Sequence, residues 1–261
     1  MQTRKLFDLT GKAALVTGGS RGIGLSIAEG LGEMGARVVI ASRTQSELDA
    51  AVAHLQGQGI EAHAIACDIT RPENVAPLVD QTLQRLGTID ILVNNAGTSW
   101  VAPAEDYPDK GWQKVMNLCI GAPFMLTREI GRRVMLPRGS GKILNISSLV
   151  GSMGNGTGRP GGGHFIGYHA AKGALESLTR GLAVEWGDRN INVNALAPGY
   201  IATEWAREFQ AAVKPFAIAA TPLARFGDGE DIKGVAVFLV SEAARFVTGQ
   251  VVMVDGGFSA N

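Results

Sequence analysis

The 261-residue sequence predicts an α/β protein built on a doubly wound parallel sheet with helices on both faces. Short apolar runs alternate with helical patterns almost from end to end of the chain. A glycine-rich turn follows the first run and opens the first helical pattern. Neither a change of composition nor an internal repeat marks a second unit. We therefore expect a single domain over residues 1–261, with parallel strands joined by right-handed crossovers.

Seven short apolar runs predict the strands. The first, which ends at a glycine, is typical of a strand that is buried on both faces of a parallel sheet. The third run is the weakest of the set. In chain order, the predicted strands cover residues 13–17, 37–42, 61–66, 89–93, 142–146, 191–196 and 251–254.

The segments between the strands carry the apolar spacing of helices. The first helical pattern runs through Ile27 and Leu31 and stops near Gly35, and Pro72 opens another that runs through Leu83. The glycine-rich segment 151–167 is predicted to be a loop. Further helices are predicted over residues 48–55, 110–135, 168–186 and 230–240.

Composition argues against several classes of function. The 24 Lys and Arg residues balance the 24 Asp and Glu residues, which gives no indication of a nucleic-acid or anionic-membrane partner. Cys67 and Cys119 stand singly and the four histidines lack metal-ligand spacing, so we expect neither a disulfide framework nor a metal site. No apolar stretch approaches the roughly 20 residues of a membrane span, and the first residues lack the apolar run of a signal peptide. We therefore expect a cytoplasmic protein.

The glycines of Gly18-x-x-x-Gly22-x-Gly24 lie where a nucleotide-binding, Rossmann-type sheet requires them, between the first strand and its helix. Glycine lets the backbone approach a pyrophosphate, and the helix N-terminus offers unpaired N–H groups. The spacing departs from the usual G-x-G-x-x-G, and a plain tight turn is the alternative. The flanking strand and helix favour a dinucleotide site.

The end of the second strand distinguishes the two nicotinamide cofactors. NAD-binding proteins place Asp or Glu there to hold the ribose 2′-hydroxyl, but this chain has Ser42 and Arg43 and no carboxylate until Glu47. A second basic residue, Arg21, lies in the glycine turn. Two guanidinium groups and a hydroxyl suit a 2′-phosphate, so we predict NADP(H), with NAD less favoured. In the alternative interpretation both arginines are merely solvated.

Tyr168 and Lys172 are four residues apart, which puts both side chains on one face of a helix. A free tyrosine ionises only near about pH 10, but a neighbouring ammonium group favours the phenolate. Tyr168 beside Lys172 would then be a proton donor and acceptor near physiological pH. By itself the pair is a weak signal, because Tyr-x-x-x-Lys is frequent on solvated helix faces.

Taken together, these motifs resemble those of the short-chain dehydrogenase/reductase family over essentially the whole chain. They occur in the order in which the family has them, which chance does not explain. The matching residues are Thr17-Gly18-x-x-x-Gly22-x-Gly24, Asn94-Asn95-Ala96-Gly97, Asn117, Ser148, Tyr168 with Lys172, Pro198-Gly199 and Val254-Asp255-Gly256-Gly257.

The resemblance implies a catalytic set of four residues. The reduced nicotinamide would give a hydride to a carbonyl carbon, while Tyr168 protonates the developing alkoxide and Ser148 donates a hydrogen bond to the same oxygen. Lys172 would bind the nicotinamide ribose, and Asn117 would hold a water that links Lys172 to solvent. Ser148 is preferred to Ser147 because the family serine usually precedes the segment that begins the next loop. Ser147 is then expected to be a strand-end hydroxyl bonded to backbone.

The resemblance also implies a set of cofactor contacts. Asp68 would bind the adenine amino group, and the backbone of residues 95–97 would pass the adenosine ribose. Ile201 and Thr203 would contact the carboxamide and phosphate side. With the glycine turn and the 2′-phosphate residues, the candidate cofactor-binding residues are Gly18, Ser20, Arg21, Gly22, Ile23, Gly24, Ser42, Arg43, Cys67, Asp68, Ile69, Asn95, Ala96, Gly97, Tyr168, Lys172, Pro198, Gly199, Ile201 and Thr203.

One departure from the family pattern lies before the predicted catalytic tyrosine. Ser148 and Tyr168 are 20 positions apart, several more than the family habit, and the surplus lies in the glycine-rich segment 156–164. In one hypothesis Arg159 or His164 contacts a polar or anionic substrate. In the other the segment is a flexible surface loop without a chemical role.

The substrate cleft is expected between three segments, residues 95–100, 148–168 and 198–225. Thr98 and Trp100 follow the Asn-Asn-Ala-Gly stretch and are candidates to line the pocket. A tryptophan at this place is equally compatible with packing at the end of the sheet.

The predicted activity is that of an NADPH-dependent carbonyl reductase, which interconverts a ketone and a secondary alcohol with Tyr168 as acid and base. The resemblance implies that such enzymes are commonly homotetramers. Within the family the chain resembles both 3-oxoacyl-thioester reductases and gluconate 5-dehydrogenase-like enzymes, so a sugar-acid oxidoreductase is the alternative. A non-catalytic nucleotide-binding scaffold is a remote alternative, because all four catalytic candidates are present.

Overall fold

A computed structural model of the chain describes residues 2–154, 164–203 and 207–260, with residues 207–213 described for their backbone only. Within these residues, seven strands form one parallel sheet: β1 (Ala13–Thr17), β2 (Arg37–Ser42), β3 (Ala62–Ala66), β4 (Ile91–Asn94), β5 (Gly141–Ile146), β6 (Ile191–Pro198) and β7 (Val251–Val254). Their spatial order is β3-β2-β1-β4-β5-β6-β7. The predicted doubly wound parallel sheet is confirmed.

Helices connect the strands and cover both faces of the sheet. In chain order they are α1 (Gly22–Glu33), α2 (Gln45–Gly57), α3 (Val75–Leu86), α4 (Asp109–Met116), α5 (Ala122–Ile130), α6 (Leu136–Arg138), α7 (Leu149–Ser152), α8 (Ile166–Trp186), α9 (Arg207–Ala220) and α10 (Gly229–Val240).

The path of the chain creates a crevice at the centre of the sheet. The chain runs outward from β1 through β2 to β3, then returns to β4 on the other side of β1 and continues to β7. The connections after β1 and β4 therefore leave in opposite directions. Ligands of doubly wound sheets bind at the carboxyl ends of the strands at such a switch point. Here the glycine turn follows β1, and Asn95 follows β4.

The strands are mainly apolar because a layer of helices covers each face. Ala14 and Val16 of β1 belong to the core formed with α1, α2 and α10. Ala13 and Leu15 belong to the core formed with α3, α5 and α8. A strand buried on both sides cannot show the polar alternation of a half-exposed strand, which accounts for the continuous apolar runs of the sequence.

Some predicted boundaries are wrong by one to three residues. β4 begins at Ile91, two residues later than predicted, and β6 extends to Pro198 because this residue pairs with Val254 of the neighbouring strand. Pro72 opens a short 3₁₀ turn, and the helix itself begins at Val75. These shifts depend on which strand or turn lies alongside, and local composition does not report that.

Two helical features depart further from the prediction. Helix α9 has no predicted counterpart, and it contains Pro215, which interrupts a helical pattern. The single helix predicted over 110–135 is observed as α4, α5 and α6, joined by π-helical turns at Asn117–Gly121 and Gly131–Met135. Turns of this kind frequently lie at functional sites, and the first of them contains a predicted catalytic residue.

Candidate active site

The crevice collects the carboxyl ends of four neighbouring strands. β1 ends at Thr17, β4 at Asn94, β5 at Ile146 and β6 at Pro198. Gly18, Asn95, Ser148 and Gly199 of the predicted set come shortly after these ends, so the fold brings together segments that are far apart in the chain.

Hydrogen bonds from the neighbouring strand fix the glycine turn. The Thr17 hydroxyl donates to the Val93 carbonyl oxygen (3.2 Å) and accepts from the backbone N–H groups of Asn95 (3.0 Å) and Ala96 (3.2 Å). The Asn95 side-chain amide donates to the carbonyl oxygens of Thr17 (2.9 Å) and Gly18 (3.1 Å). The Asn95 amide group therefore shapes the turn from the adjacent strand end.

The turn has the close backbone packing that a pyrophosphate site requires. Gly18 and Gly22 have φ angles of +64° and +55°, which residues with a Cβ atom rarely adopt. A Cβ built on Gly24 would collide with the Gly18 carbonyl oxygen. Thr203, from the segment after β6, lies beside the turn, with its Cγ2 atom 3.5 Å from the place that a Cβ on Gly22 would take. Because α1 begins at Gly22, the cradle combines close backbone with a helix N-terminus and fits a pyrophosphate.

The end of β2 has the features of an anion site. The Ser42 hydroxyl oxygen is buried and has no hydrogen-bond partner among the described residues. The adjacent Arg43 is exposed and lines a cavity of about 370 Å³ together with Cys67 and Asp68. A buried hydroxyl without a partner calls for an explanation. An incoming phosphate, bound between the hydroxyl and a guanidinium group, would supply one.

Arg21, the other predicted phosphate ligand, is paired with Glu47. Arg21 Nη1 lies 3.4 Å from Glu47 Oε1, and the two side chains are 54% and 37% exposed. The Ser20 hydroxyl donates to the second oxygen of the same carboxylate at 3.2 Å. An exposed ion pair contributes at most about 1 kcal/mol, so Arg21 is held only weakly and has further N–H donors for a phosphate.

Hydrogen bonds stabilise the ionised form of the Asp68 carboxylate, which lies beside the cavity. The carboxylate accepts hydrogen bonds from the Thr70 hydroxyl (2.6 Å) and backbone N–H (3.1 Å). These bonds, helped by the charge of Arg43, hold the pKa of Asp68 below its ordinary value in spite of partial burial. Burial raises the pKa of the Cys67 thiol, which keeps it protonated. The Ile69 side chain is 7% exposed and packs in the core.

Tyr168 and Lys172 share one side of α8, as their spacing predicts. Lys172 is 3% exposed, and its ammonium group donates to the Ile146 carbonyl oxygen at the end of β5 (2.6 Å). The ammonium nitrogen lies 5.4 Å from the centre of the Tyr168 ring. A Cβ built on Gly97 would be 3.8 Å from it, so the cation also adjoins the backbone after β4. The fold thus concentrates positive charge beside a phenol at the crevice.

The structure separates the roles of Ser147 and Ser148. Ser147 is 2% exposed, and its hydroxyl donates to Glu176 Oε1 on α8 (2.8 Å). The expected bond from Ser147 to backbone is therefore wrong, because a carboxylate from a distant helix takes its place. Ser148 has extended backbone, is partly exposed and directly precedes α7. It remains the candidate hydroxyl for a substrate.

Asn117 lies in the first π-helical turn, with its side chain exposed. Cys119 in the same turn is buried, and its thiol contacts the Thr98 carbonyl oxygen at 3.3 Å. Cys119 also belongs, with Val115 and Ala171, to a small apolar cluster against which Tyr168 packs. The turn therefore adjoins the side of α8 that carries Tyr168, and the water relay through Asn117 stays a prediction.

Trp100 packs against α4. A Cβ built on Gly111 would lie 2.7 Å from the indole ring, and the ammonium groups of Lys110 and Lys114 are 5.8 and 5.6 Å from the ring centre. These contacts favour the packing interpretation of Trp100 over a pocket-lining one.

The loop before Tyr168 meets the loop after β4. The Ala102 N–H donates to the His164 carbonyl oxygen (3.0 Å), while the His164 residue is exposed. This bond joins two of the segments that were expected to form the cleft. Arg159 lies outside the described residues, and a substrate contact by His164 stays a prediction.

A buried polar network supports the strand ends beneath the crevice. The Asn94 amide donates to the Thr127 hydroxyl (3.0 Å) and to the Asn145 side-chain oxygen (2.9 Å), and Asn145 donates to the Thr179 hydroxyl (2.9 Å). All four residues are buried. Because every bond crosses between elements, the network ties β4 and β5 to α5 and α8.

Two carboxylates near the site are absent from the predicted set. Glu47 is noted in the sequence only as the first carboxylate after β2, and nothing in its spacing pairs it with Arg21. Glu176 follows Lys172 by four residues, as Lys172 follows Tyr168. Extending that spacing by one more turn is the signal that would have identified it.

The described residues contain no group of three or more His, Cys, Asp or Glu side chains placed to hold a metal ion. In those residues no helix has both the length and the apolar character needed to span a bilayer.

Comparison with known proteins identifies the family. The family model described as Enoyl-(Acyl carrier protein) reductase matches residues 18–259. Gluconate 5-dehydrogenase of Gluconobacter oxydans (strain 621H) is 41% identical over 258 residues, which cover 98% of this chain and 98% of that protein. The 3-oxoacyl-(acyl-carrier-protein) reductase of Pseudomonas aeruginosa is 39% identical over 250 residues, which cover 96% and 98%.

A solved structure agrees over the whole length. The crystal structure of a gluconate 5-dehydrogenase from Burkholderia cenocepacia J2315, in complex with NADP and tartrate, has a TM-score of 0.92 and 35% identity and covers 100% of both chains. The resemblance indicated by the motifs is confirmed by sequence and by fold. This chain belongs to the short-chain dehydrogenase/reductase family.

Proposed function

We propose that this protein is an oxidoreductase that interconverts a ketone and a secondary alcohol with NADP(H), with Tyr168 as acid and base. One observation carries the proposal: the buried Lys172 ammonium group lies 5.4 Å from the Tyr168 ring and is held by the Ile146 carbonyl oxygen (2.6 Å). A fixed cation beside the ring suits a tyrosine that gives a proton to a substrate oxygen and takes one from it.

Each catalytic candidate has a distinct task in the reaction. When bound, the nicotinamide supplies the hydride. Tyr168 gives a proton to the oxygen during ketone reduction and takes one from it during alcohol oxidation. Ser148 donates a hydrogen bond to the same oxygen as negative charge develops there. Lys172 would hold the nicotinamide ribose, and Asn117 would connect Lys172 to solvent through a water.

The cofactor is NADP(H) because the end of β2 suits a phosphate. Ser42, Arg43 and Arg21 form the 2′-phosphate site, where the buried Ser42 hydroxyl gains a partner and two guanidinium groups neutralise the charge. The gluconate 5-dehydrogenase of B. cenocepacia, 35% identical to this chain, was solved with NADP. NAD is less favoured, since no carboxylate stands directly at the end of the strand.

The rest of the cofactor follows the crevice. The turn 18–24 would hold the pyrophosphate, residues 67–69 the adenine and the backbone of 95–97 the adenosine ribose. Residues 198–203 would hold the nicotinamide end. One domain carries the whole activity, and residues 95–100, 148–168 and 198–225 form the substrate cleft.

The substrate is a small ketone or the corresponding alcohol, and a sugar acid is the second candidate. Relatives named gluconate 5-dehydrogenase are 41% and 35% identical to this chain, and one of them was solved with tartrate. A 3-oxoacyl thioester, as in the name of the 39% identical reductase, is a further candidate in the substrate panel. A non-catalytic scaffold is disfavoured because Asn117, Ser148, Tyr168 and Lys172 are all present.

We infer that the protein assembles as a homotetramer. Large apolar side chains are exposed on three helices of one layer: Trp112 of α4 (37%), Phe124 of α5 (43%) and Val184 of α8 (87%). Covering them with further copies of the chain removes apolar area from water. Light scattering on the protein as it elutes from a size-exclusion column should give a molar mass four times the chain mass of 27.4 kDa. A monomer would contradict the assembly.

We also infer a cytoplasmic location. The structure has Cys67 and Cys119 as free thiols. A reducing compartment keeps thiols in this state.

The test of the proposed function is a panel of short ketones, diketones, 3-oxoacyl esters and keto-sugar acids, assayed with NADPH and with NADH. Tyr168→Phe should lower kcat by about 100-fold or more on any ketone that is turned over. Glu185→Gln, at an exposed carboxylate of the same helix, is the control. Undiminished NADPH consumption by Tyr168→Phe would contradict the proposal.

A further inference from the structure

Glu176 is a buried carboxylate that the proposed mechanism does not use. It is 3% exposed and lies one helical turn after Lys172 on α8. Its Oε1 accepts a hydrogen bond from the Ser147 hydroxyl (2.8 Å), and its Oε2 accepts one from the Ser152 hydroxyl (2.7 Å). Burying a carboxylate is costly unless such donors compensate it. This buried carboxylate lies directly beside the catalytic candidates.

The two hydrogen bonds enclose the segment that carries Ser148. Ser147 precedes it, and Ser152 ends the short helix that follows it. Within the segment, the Gly151 N–H donates to the Ser148 carbonyl oxygen (2.9 Å). A Cβ on Gly151 would collide with Glu176 Oε1 and would lie 2.9 Å from Ser147 Oγ. The segment therefore packs directly against the carboxylate.

The same helix carries the catalytic candidates Tyr168 and Lys172. Tyr168, Lys172 and Glu176 follow one another at intervals of one turn. Lys172 binds the carbonyl oxygen of Ile146, and Glu176 binds the hydroxyl of Ser147. Two consecutive turns of α8 thus hold two consecutive residues at the end of β5, which places Ser148 and Tyr168 on a common support.

We propose that Glu176 is a positioning residue for catalysis. By binding Ser147 and Ser152, it sets the Ser148 hydroxyl where it and Tyr168 can reach one substrate oxygen. The inference rests on the proposed function of Ser148 and Tyr168. A hydrogen-bond donor displaced from its position stabilises the transition state less, and its displacement lowers kcat. A carboxylate that only stabilised the fold would leave kcat per folded molecule unchanged.

The experiment compares two substitutions at Glu176. Glu176→Met keeps the length of the side chain and removes both acceptors. Glu176→Gln keeps one acceptor, and a serine hydroxyl can turn to accept from its amide. Each is measured with and without Ser148→Ala, and Glu185→Gln, at an exposed carboxylate of the same helix, is the control. The readouts are kcat, KM for the ketone, KM for NADPH and the melting temperature.

Glu176→Met should lower kcat about tenfold or more and leave KM for NADPH within about twofold of wild type. Glu176→Gln should recover kcat to within about threefold of wild type, and the control should match wild type. In the Ser148→Ala background, Glu176→Met should have little further effect, because the hydroxyl that it positions is gone. A wild-type kcat for Glu176→Met, or the same loss in both backgrounds, would overturn the proposal.

Ser152→Ala decides the question if Glu176→Met does not fold. It removes one of the two hydrogen bonds at an exposed residue, and kcat should fall about threefold in the wild-type background only. An unchanged kcat would again overturn the role of Glu176. If Ser148→Ala itself keeps the wild-type kcat, the proposed function of Ser148 is wrong. If Ser148→Ala is impaired and Glu176→Met is not, only the role of Glu176 is wrong.

Discussion

The ion pair between Arg21 and Glu47 should make NADPH affinity depend on one exposed carboxylate. Arg21 Nη1 is 3.4 Å from Glu47 Oε1, and Ser20 donates to the same carboxylate at 3.2 Å. Two unit charges at that distance attract by about 1.2 kcal/mol in water, and exposed pairs retain about 0.2–1 kcal/mol of this. A 2′-phosphate that recruits Arg21 must overcome this attraction. Glu47→Gln should therefore tighten NADPH binding by up to about fivefold.

The same substitution should leave NADH binding unchanged, because NADH has no charge at the ribose 2′ position. Dissociation constants for both cofactors are measured by nicotinamide fluorescence at low and at high salt. The gain for NADPH should shrink at high salt, since exposed charges are screened. Glu61→Gln, at an exposed carboxylate next to the start of β3, is the control. Weaker NADPH binding by Glu47→Gln would refute the reasoning, because Glu47 would then orient Arg21 instead of competing for it.

Three further predictions concern the glycine turn and acid stability. Gly24→Ala should abolish the rise in melting temperature that NADPH gives, because its Cβ meets the Gly18 carbonyl oxygen; a normal rise would contradict this. Asn95→Ala should lower the free energy of unfolding in urea by about 1–3 kcal/mol, because two carbonyl oxygens lose their donor; an unchanged value would show that water replaces the amide. Hydrogen bonds from Arg225 hold the pKa of Asp231 at about 2, below the unfolded value of about 3.9, so this stabilisation is complete above about pH 5 and is lost as the pH falls towards 2. Urea midpoints of wild type and Asp231→Asn should therefore converge on acidification, and a constant difference would exclude the pair as a source of acid sensitivity.

The parallel sheet was predictable because its pattern is local. A strand covered on both faces is a nearly continuous apolar run, and a covering helix repeats its apolar residues every three or four positions. The observed bounds of β1, β2 and β7 are the predicted ones. The end of β6 at Pro198 was not predictable in this way, because it depends on pairing with Val254.

The candidate site was predictable where its groups are close in the chain. Tyr168 and Lys172 share one side of a helix by spacing alone, and the glycine turn is one contiguous stretch. Ser147 and Glu176 are 29 positions apart, and no motif joins them. The partner of the Ser147 hydroxyl was therefore wrongly predicted.

By itself, the sequence determined the alternation of strands and helices, the place of the glycine turn and the residue types that handle a proton and a phosphate. Only the tertiary structure decided that the Ser147 hydroxyl donates to Glu176 and that Arg21 forms an ion pair with Glu47. It also decided that the Ser42 hydroxyl is buried without a partner among the described residues. Periodicity and spacing are properties of neighbours along the chain. A hydrogen bond between side chains of different elements exists only after packing has brought those elements to a defined distance.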